Sequence, residues 1–399
     1  MPVLFGHRYL AFIVVVFLLV FLIFKPLGTQ PHGALDHMQL RVPGKAFSDV
    51  LNSTLGFQEL FVLNLPERSD RRDAMTLSAA LTKLDVKWID GIDGKDVPDR
   101  VLPGDSWDKK ISKGNKGSWR AHMDALQRIV RENLTSALIL EDDADWDIRL
   151  KQQMQVFAQA ARALTQPTPK ASSTGKPLSA TEPQSEISIS QIPTNLRSRL
   201  TPYGDNWDVL WLGHCGTDFP SAPTILPHKD DASKPKVPLL RITIPNDPTV
   251  PDHKHLKPHP FALQDSLAKE YPPHTRVVHS SYKTTCTQAY AVSQQGARKL
   301  LYQFGLKTLT TGWDLMLGDW CDGLYPQEKQ PICVTVQPPL FSHHYGKGAA
   351  SDITAPGGGF VNKDKEMTPY VRLSVRVNME RLVQGVGVEG LVDQWEDPE

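Results

Sequence analysis

Three consecutive acids, Glu141, Asp142 and Asp143, close the wholly apolar run Ala137-Leu138-Ile139-Leu140. Like charges a few ångströms apart oppose one another's ionisation, so such a triplet is costly unless something offsets the repulsion. A divalent cation would. Hard oxygen ligands suit Mg²⁺ or Mn²⁺, ions that commonly bridge a protein carboxylate to phosphate oxygens. A solvated turn, with Asp145 and Asp147 continuing the polar run, accounts for the spacing equally well. The basic counterpart is the run Arg68, Arg71 and Arg72, which follows the apolar Leu60-Phe61-Val62-Leu63 and opens a helix. Guanidinium groups at a helix start suit a diphosphate, through bidentate contacts and the helix dipole. Taken alone, the alternating signs from Arg68 to Asp73 favour an exposed, self-paired first turn. The conjunction of the arginines with the acids is what raises the phosphate reading.

Those two groups meet only if particular elements carry them. Leu60-Phe61-Val62-Leu63 reads as a strand buried on both faces. Ala74, Leu77, Leu81 and Leu84 then recur at helical spacing, and residues 86–89 form a second strand stopped by Asp90-Gly91 and Asp93-Gly94. From Gly117 a helix runs to about Glu132 with Trp119, His122, Leu126 and Ile129 on one face, and residues 137–140 are the strand after it. Residues 209–212 make another strand, while 288–292 lead through Ser293, a helix cap, into a helix over 296–304. Alternating strands and helices with buried strands give an α/β fold, a mostly parallel sheet covered on both faces. Ligands bind beyond the carboxyl ends of such strands. Residues 64–72, 90–94, 141–143 and 213–215 therefore share one rim.

Composition bounds the rest. The 399 residues are 40% hydrophobic and 22% charged, which excludes wholesale disorder. Lys plus Arg and Asp plus Glu are each 44, so no net charge is left to grip nucleic acid as a general polyanion. Residues 9–24 carry no charge between Arg8 and Lys25 and would extend roughly 24 Å as a helix, near the thickness of the endoplasmic reticulum bilayer. No convincing small-x-small cleavage site follows, which favours an uncleaved signal anchor over a secretory signal. Asn52-Ser53-Thr54 and Asn133-Leu134-Thr135 fit the N-glycosylation pattern and favour a lumenal body. The expected order is a cytoplasmic tail at 1–8, the anchor at 9–25, a stem at 26–56, a catalytic domain at 57–349 and an extension at 350–399. Pro-rich stretches at 165–205 and 219–275 read as surface insertions; the span 165–275 holds 18 of the 32 prolines. His253, His255 and His259 lie in such a stretch, which positions no metal site. In an oxidising lumen Cys215, Cys286, Cys321 and Cys333 should form at least one bridge, with the connectivity open.

Four ordered motifs carry a resemblance: Asn64-Leu65-Pro66-Glu67-Arg68-Ser69-Asp70-Arg71-Arg72, Ile92-Asp93-Gly94-Lys95, Gly117-Ser118-Trp119-Arg120-Ala121-His122 and Leu138-Ile139-Leu140-Glu141-Asp142-Asp143. With Trp207 to Gly213, Ala289 to Ser293 with Gly296-Ala297, and Trp313-Asp314, they resemble glycosyltransferase family 25, the lipooligosaccharide and procollagen galactosyltransferase type, over about residues 57–345 without the two Pro-rich insertions. Ser118 and Ala121 depart from the usual Cys and Ser. The resemblance implies a GT-A-like fold and inverting transfer of a sugar, often galactose, from a UDP donor to a glycan or glycoprotein hydroxyl. It implies Glu141 and Asp143 on the metal with Asp142 beside them, Asn64, Arg68 and Arg72 on the diphosphate side, and Asp93 near the nucleoside. Asp314 is the candidate base, or else a helix cap. His343 and His344 supply a last metal ligand, line the acceptor cleft or simply pack. His122 reads as a hydrogen-bonded core histidine. The expected setting is the Golgi or endoplasmic reticulum membrane, as a single-pass type II protein. A degenerate, non-catalytic scaffold is the main alternative; a two-carboxylate glycoside hydrolase fits least, because it has no use for the arginines.

Overall fold

A computed structural model describes residues 45–104, 106, 110–165, 186–193, 198, 200–220, 240–256, 266–326, 329–347 and 365–398. The tail, the anchor, the first part of the stem, much of both Pro-rich stretches and His259 lie outside the described residues. Among the described residues no helix is long and apolar enough to cross a membrane.

Eleven strands join in one sheet: β1 (Glu59–Asn64), β2 (Lys87–Asp90), β3 (Ser136–Glu141), β4 (Ala144–Trp146), β5 (Glu186–Ser188), β6 (Val209–Gly213), β7 (Arg241–Ile244), β8 (Arg276–Ser280), β9 (Ala289–Ser293), β10 (Cys333–Gln337) and β11 (Phe341–His343). Their order is β2-β1-β3-β9-β6-β10-β8-β7-β5, with β11 paired to β6 and β4 to β11. Eight strands share a direction, while β4, β8 and β9 run against it. The fold is thus mixed α/β with a mostly parallel core. The antiparallel β9, wedged between β3 and β6, is invisible to composition because a buried strand looks the same in either direction.

The continuous apolar strands are buried on both faces because a helix covers each. Leu60, Val62, Leu138 and Leu140 point into one core, against Met154, Phe157 and Ala161 of helix α3 (Leu150–Thr165). Phe61, Leu63, Ala137 and Ile139 point into the other, against Trp119, Leu126 and Ile129 of helix α2 (Lys113–Arg131). Burying each such side chain contributes roughly 1.5–3 kcal/mol. Ser293 caps helix α4 (Gln294–Leu300) by accepting from the Gly296 amide, as its position implied.

Helix α1 (Ser69–Leu81) is rotated relative to its apolar spacing. Leu77 is 44% exposed, and the buried residues are Met75, Ser78 and Ala79. The inward line Arg71, Met75, Ser78, Thr82 advances by four, three and four residues, which is one helical face. Arg71 at its head is ion-paired to the acids after β3, so a charged contact accompanies this phase.

Two segments set apart by composition belong to the sheet system. β5 and β7 lie in the Pro-rich stretches yet extend the sheet edge beyond β8, with Ile242 and Ile244 buried. The described C-terminal segment, 365–398, pairs with the strands beneath the rim: the Ile148 amide donates to the Leu373 carbonyl and the Val375 amide to the Trp146 carbonyl, each at 3.0 Å. All four cysteines are bridged, Cys215 to Cys286 and Cys321 to Cys333.

Candidate functional site

The parallel neighbours β2, β1 and β3 end on the same side. Beyond their carboxyl ends lies a cleft of about 370 Å³. Asn64, Arg68 and Arg71 line it from the β1 end, Asp93 and Gly94 from the turn after β2, and Glu141, Asp142 and Asp143 from the β3 end. The amino end of α2 completes it with Lys113, Gly114 and Gly117. Gly94 and Gly117 permit this approach: a Cβ on Gly94 would collide with the Lys113 carbonyl, and one on Gly117 would stand 2.8 Å from the Ile92 carbonyl. The dipole of the 19-residue α2, capped by Ser112, places its positive end at the cleft.

Acids and arginines do meet here, through Arg71. Its guanidinium donates to Asp142 at 2.7 Å and to Asp143 at 2.8 Å. Asp142 also accepts from the Asn64 amide at 2.8 Å. Burial and the Asp143 charge nevertheless push the Asp142 carboxyl above its ordinary range, against Arg71 and Asn64. Burial opposes ionisation of Asp143 too, but the positive fields of His343, Arg71 and Arg376 prevail and hold its carboxyl below the usual range. Burial and the Asp143 charge push Glu141 up to about 8, against a Thr287 hydroxyl that donates to it at 2.7 Å.

The other expected site residues are distributed as follows. Arg68 lines the cleft and is ion-paired to Asp70 at 2.7 Å. Arg72 does not line it; it lies 3.3 Å from Asp90 and over the Trp88 ring. Asp93 caps the turn at Gly94–Asp96, accepting from the Lys95 amide, and pairs with the Lys95 ammonium, contacts that hold its carboxyl low. Asp314 begins the second residue of helix α5 (Trp313–Cys321), whose amino cap is Gly312; its carboxylate accepts from the Cys286 amide at 3.0 Å. Asp314 does not line the cleft, and its charge only adds to the larger effects that push Glu141 up. His122 is buried, with Nδ1 2.8 Å from the Tyr290 hydroxyl and its ring stacked on Trp313, and burial pushes it down to about 3. It is the core histidine its position on α2 implied.

Three further residues touch the acids. Thr287 binds Glu141, His343 places Nδ1 3.5 Å from Asp143, and Arg376 donates to the Asp142 carbonyl at 2.9 Å. The sequence had left His343 open as a metal ligand, a cleft residue or a merely packed or exposed one, whereas nothing near Arg376 marked it.

Among the described residues no three His, Cys, Asp or Glu side chains converge as a metal site. The acidic triplet does not fit a cation as a unit, since Arg71 and Asn64 take the oxygens of Asp142 and Thr287 binds Glu141. Asp143 does fit. Its Oδ1 is buried without a hydrogen-bond partner among the described residues, and His343 stands beside it.

A mixed α/β sheet thus gathers guanidiniums, carboxylates and a helix amino end around one cleft at its carboxyl rim. Residues 57–170 match the family model of glycosyltransferase family 25 (LPS biosynthesis protein), so the family resemblance in the sequence is borne out over that stretch. Procollagen galactosyltransferase 1 of Danio rerio is 30% identical over 120 residues, 27% of this chain and 20% of the relative. A glycosyltransferase 25 family member of Anopheles gambiae is 33% identical over 107 residues, covering 24% of this chain and 18% of the relative. Inactive glycosyltransferase 25 family member 3 of Homo sapiens is 26% identical over 114 residues, covering 26% and 19%. The matched stretch thus spans about a fifth of these relatives' length.

Proposed function

We propose that this chain transfers a sugar, galactose in the first instance, from a UDP donor to a hydroxyl of a glycan or glycoprotein, with inversion. The single observation that carries this reading is the cleft itself: Arg68, the amino end of α2 and the ion-paired cluster of Arg71, Asp142 and Asp143 all line it. The cations and the helix dipole would hold a diphosphate. The match to family 25 supports the same reaction class.

Asp143, with His343, would hold Mn²⁺ or Mg²⁺, which when bound supplies charge withdrawal from the departing diphosphate. Arg71, which bridges Asp142 and Asp143 and lines the cleft, would also meet the donor. Asn64 orients Asp142. Asp93, which lines the cleft, would lie near the nucleoside. Asp314, within electrostatic reach of Glu141, is the carboxylate that would take the acceptor's proton. The Golgi or endoplasmic reticulum membrane is the proposed setting, with residues 9–25 as the anchor; Asn52 and Asn133, the glycosylation candidates, are both exposed.

A scaffold without catalysis is the second reading. What favours it is that Arg71 already occupies Asp142 and Asp143, and that one relative is described as inactive. A screen of UDP-sugars with glycan acceptors separates the two. Metal-dependent UDP release with one donor supports transfer; UDP binding without release under any donor supports the scaffold.

A further inference from the structure

Arg376 lies far along the chain from the rim, beyond the stretch that matches the family. It is nonetheless half-buried beside the acids. One of its guanidinium nitrogens donates to the Asp142 carbonyl at 2.9 Å, and its Nε is enclosed with no hydrogen-bond partner among the described residues. That carbonyl belongs to the peptide joining Asp142 to Asp143. On the other side of Asp143, its own carbonyl accepts from the His344 amide at 2.9 Å. Peptide groups are planar, so pinning both oxygens fixes the direction in which the Asp143 side chain leaves the backbone.

Arg376 is in turn fixed by Asp145, a wholly buried carboxylate. Asp145 accepts from the Arg376 amide at 3.2 Å, from the Thr368 hydroxyl at 2.5 Å and from the Ser374 hydroxyl. A buried carboxylate satisfied by three donors from one short segment is a rigid clamp, because each unmade bond to it would be costly. The guanidinium it presents also offsets the crowding of three acids, Asp142, Asp143 and Asp145.

We infer that Arg376 is a positioning residue for the acidic rim: the 365–398 segment is part of the site, and Arg376 aims Asp143 through the Asp142 carbonyl. The inference rests on the reading of the cleft as a UDP-sugar site. Calorimetry with UDP and Mn²⁺ on the full chain tests it, comparing wild type with Arg376→Gln and Arg376→Lys. Outer supports of a ligand-holding group typically carry about 10- to 100-fold in affinity, and that is the loss expected for Arg376→Gln. Arg376→Lys, which keeps the charge and a donor, should recover much of it, with melting temperatures close to wild type. Equal binding by Arg376→Gln and wild type overturns the positioning role. So does a loss that tracks a collapse in melting temperature and is not relieved by Lys. If wild type binds no UDP, the nucleotide reading itself falls. Should Arg376→Gln fail to fold, Ser374→Ala, which loosens the clamp without stranding a charge, decides: weakened binding supports the role and unchanged binding overturns it.

Discussion

The front of the site and its back are built in opposite ways. The front, from β1 through β3, draws on neighbouring elements, and its arginines, glycines and acids each follow directly from a strand end or a helix start. The back is a segment more than 220 residues further on, which reaches Asp142 and Asp145 through Arg376, Ser374 and Thr368. The front supplies the groups that would meet a ligand, and the back supplies the rigidity that aims them. Chemistry can therefore be concentrated in a short stretch while its precision depends on distant chain.

The comparison can be broken first at the front. Asp143→Ala removes the acid that the back aims, and sugar transfer should fall by at least about 100-fold. Circular dichroism should show an intact fold; wild-type turnover in this variant would detach the acids from function. Arg71→Gln is the next largest. Removing one partner of a mostly buried ion pair leaves the other uncompensated, and the loss in unfolding free energy should be about 3 kcal/mol. Denaturant titration measures it, and a change under about 1 kcal/mol would mean that the acids do not depend on Arg71.

A pH scan compares the two halves of the sheet. His122 lies under the front, while His214 and His279 lie on the other half, and burial pushes them down to about 3, 4 and 3. The unfolded chain takes up these protons first, so the histidines' contribution to stability is full above about pH 6.5 and is lost as pH falls toward 4, while Glu141 and Asp322, pushed up to about 8 and 7, shift stability in the opposite sense over the same window. Against wild type, His122→Gln should remove the front histidine's share, so that melting temperature falls less, or rises more, as pH drops across that window. A slope unchanged in this variant would contradict the neutral, buried state of His122. The smallest effect expected is from Asp70→Asn, whose carboxylate is exposed and paired with Arg68; stability should change by less than about 1 kcal/mol.

Much of the front was legible because strand periodicity and helix caps are local properties. The runs 60–63 and 137–140, the buried face of α2 and the Ser293 cap stand where the pattern put them. The arginine run was legible as a cluster but not in its division of labour. Spacing cannot say which of Arg68, Arg71 and Arg72 faces the acids, because that depends on helix phase, which tertiary contacts decide. The direction of β9, the strands β5 and β7 within Pro-rich sequence, and the reach of Arg376 were closed to a linear reading for the same reason. Each exists only through pairing with residues remote in sequence.

The most direct measurement is a calorimetric comparison of UDP with uridine on the wild-type chain in Mn²⁺. If Arg68, Arg71 and the amino end of α2 clasp a diphosphate opposite Asp143, UDP binds in a 1:1 complex and far more tightly than uridine, and pyrophosphate competes with it. Equal affinity for UDP and uridine, or no binding of either, would contradict the account.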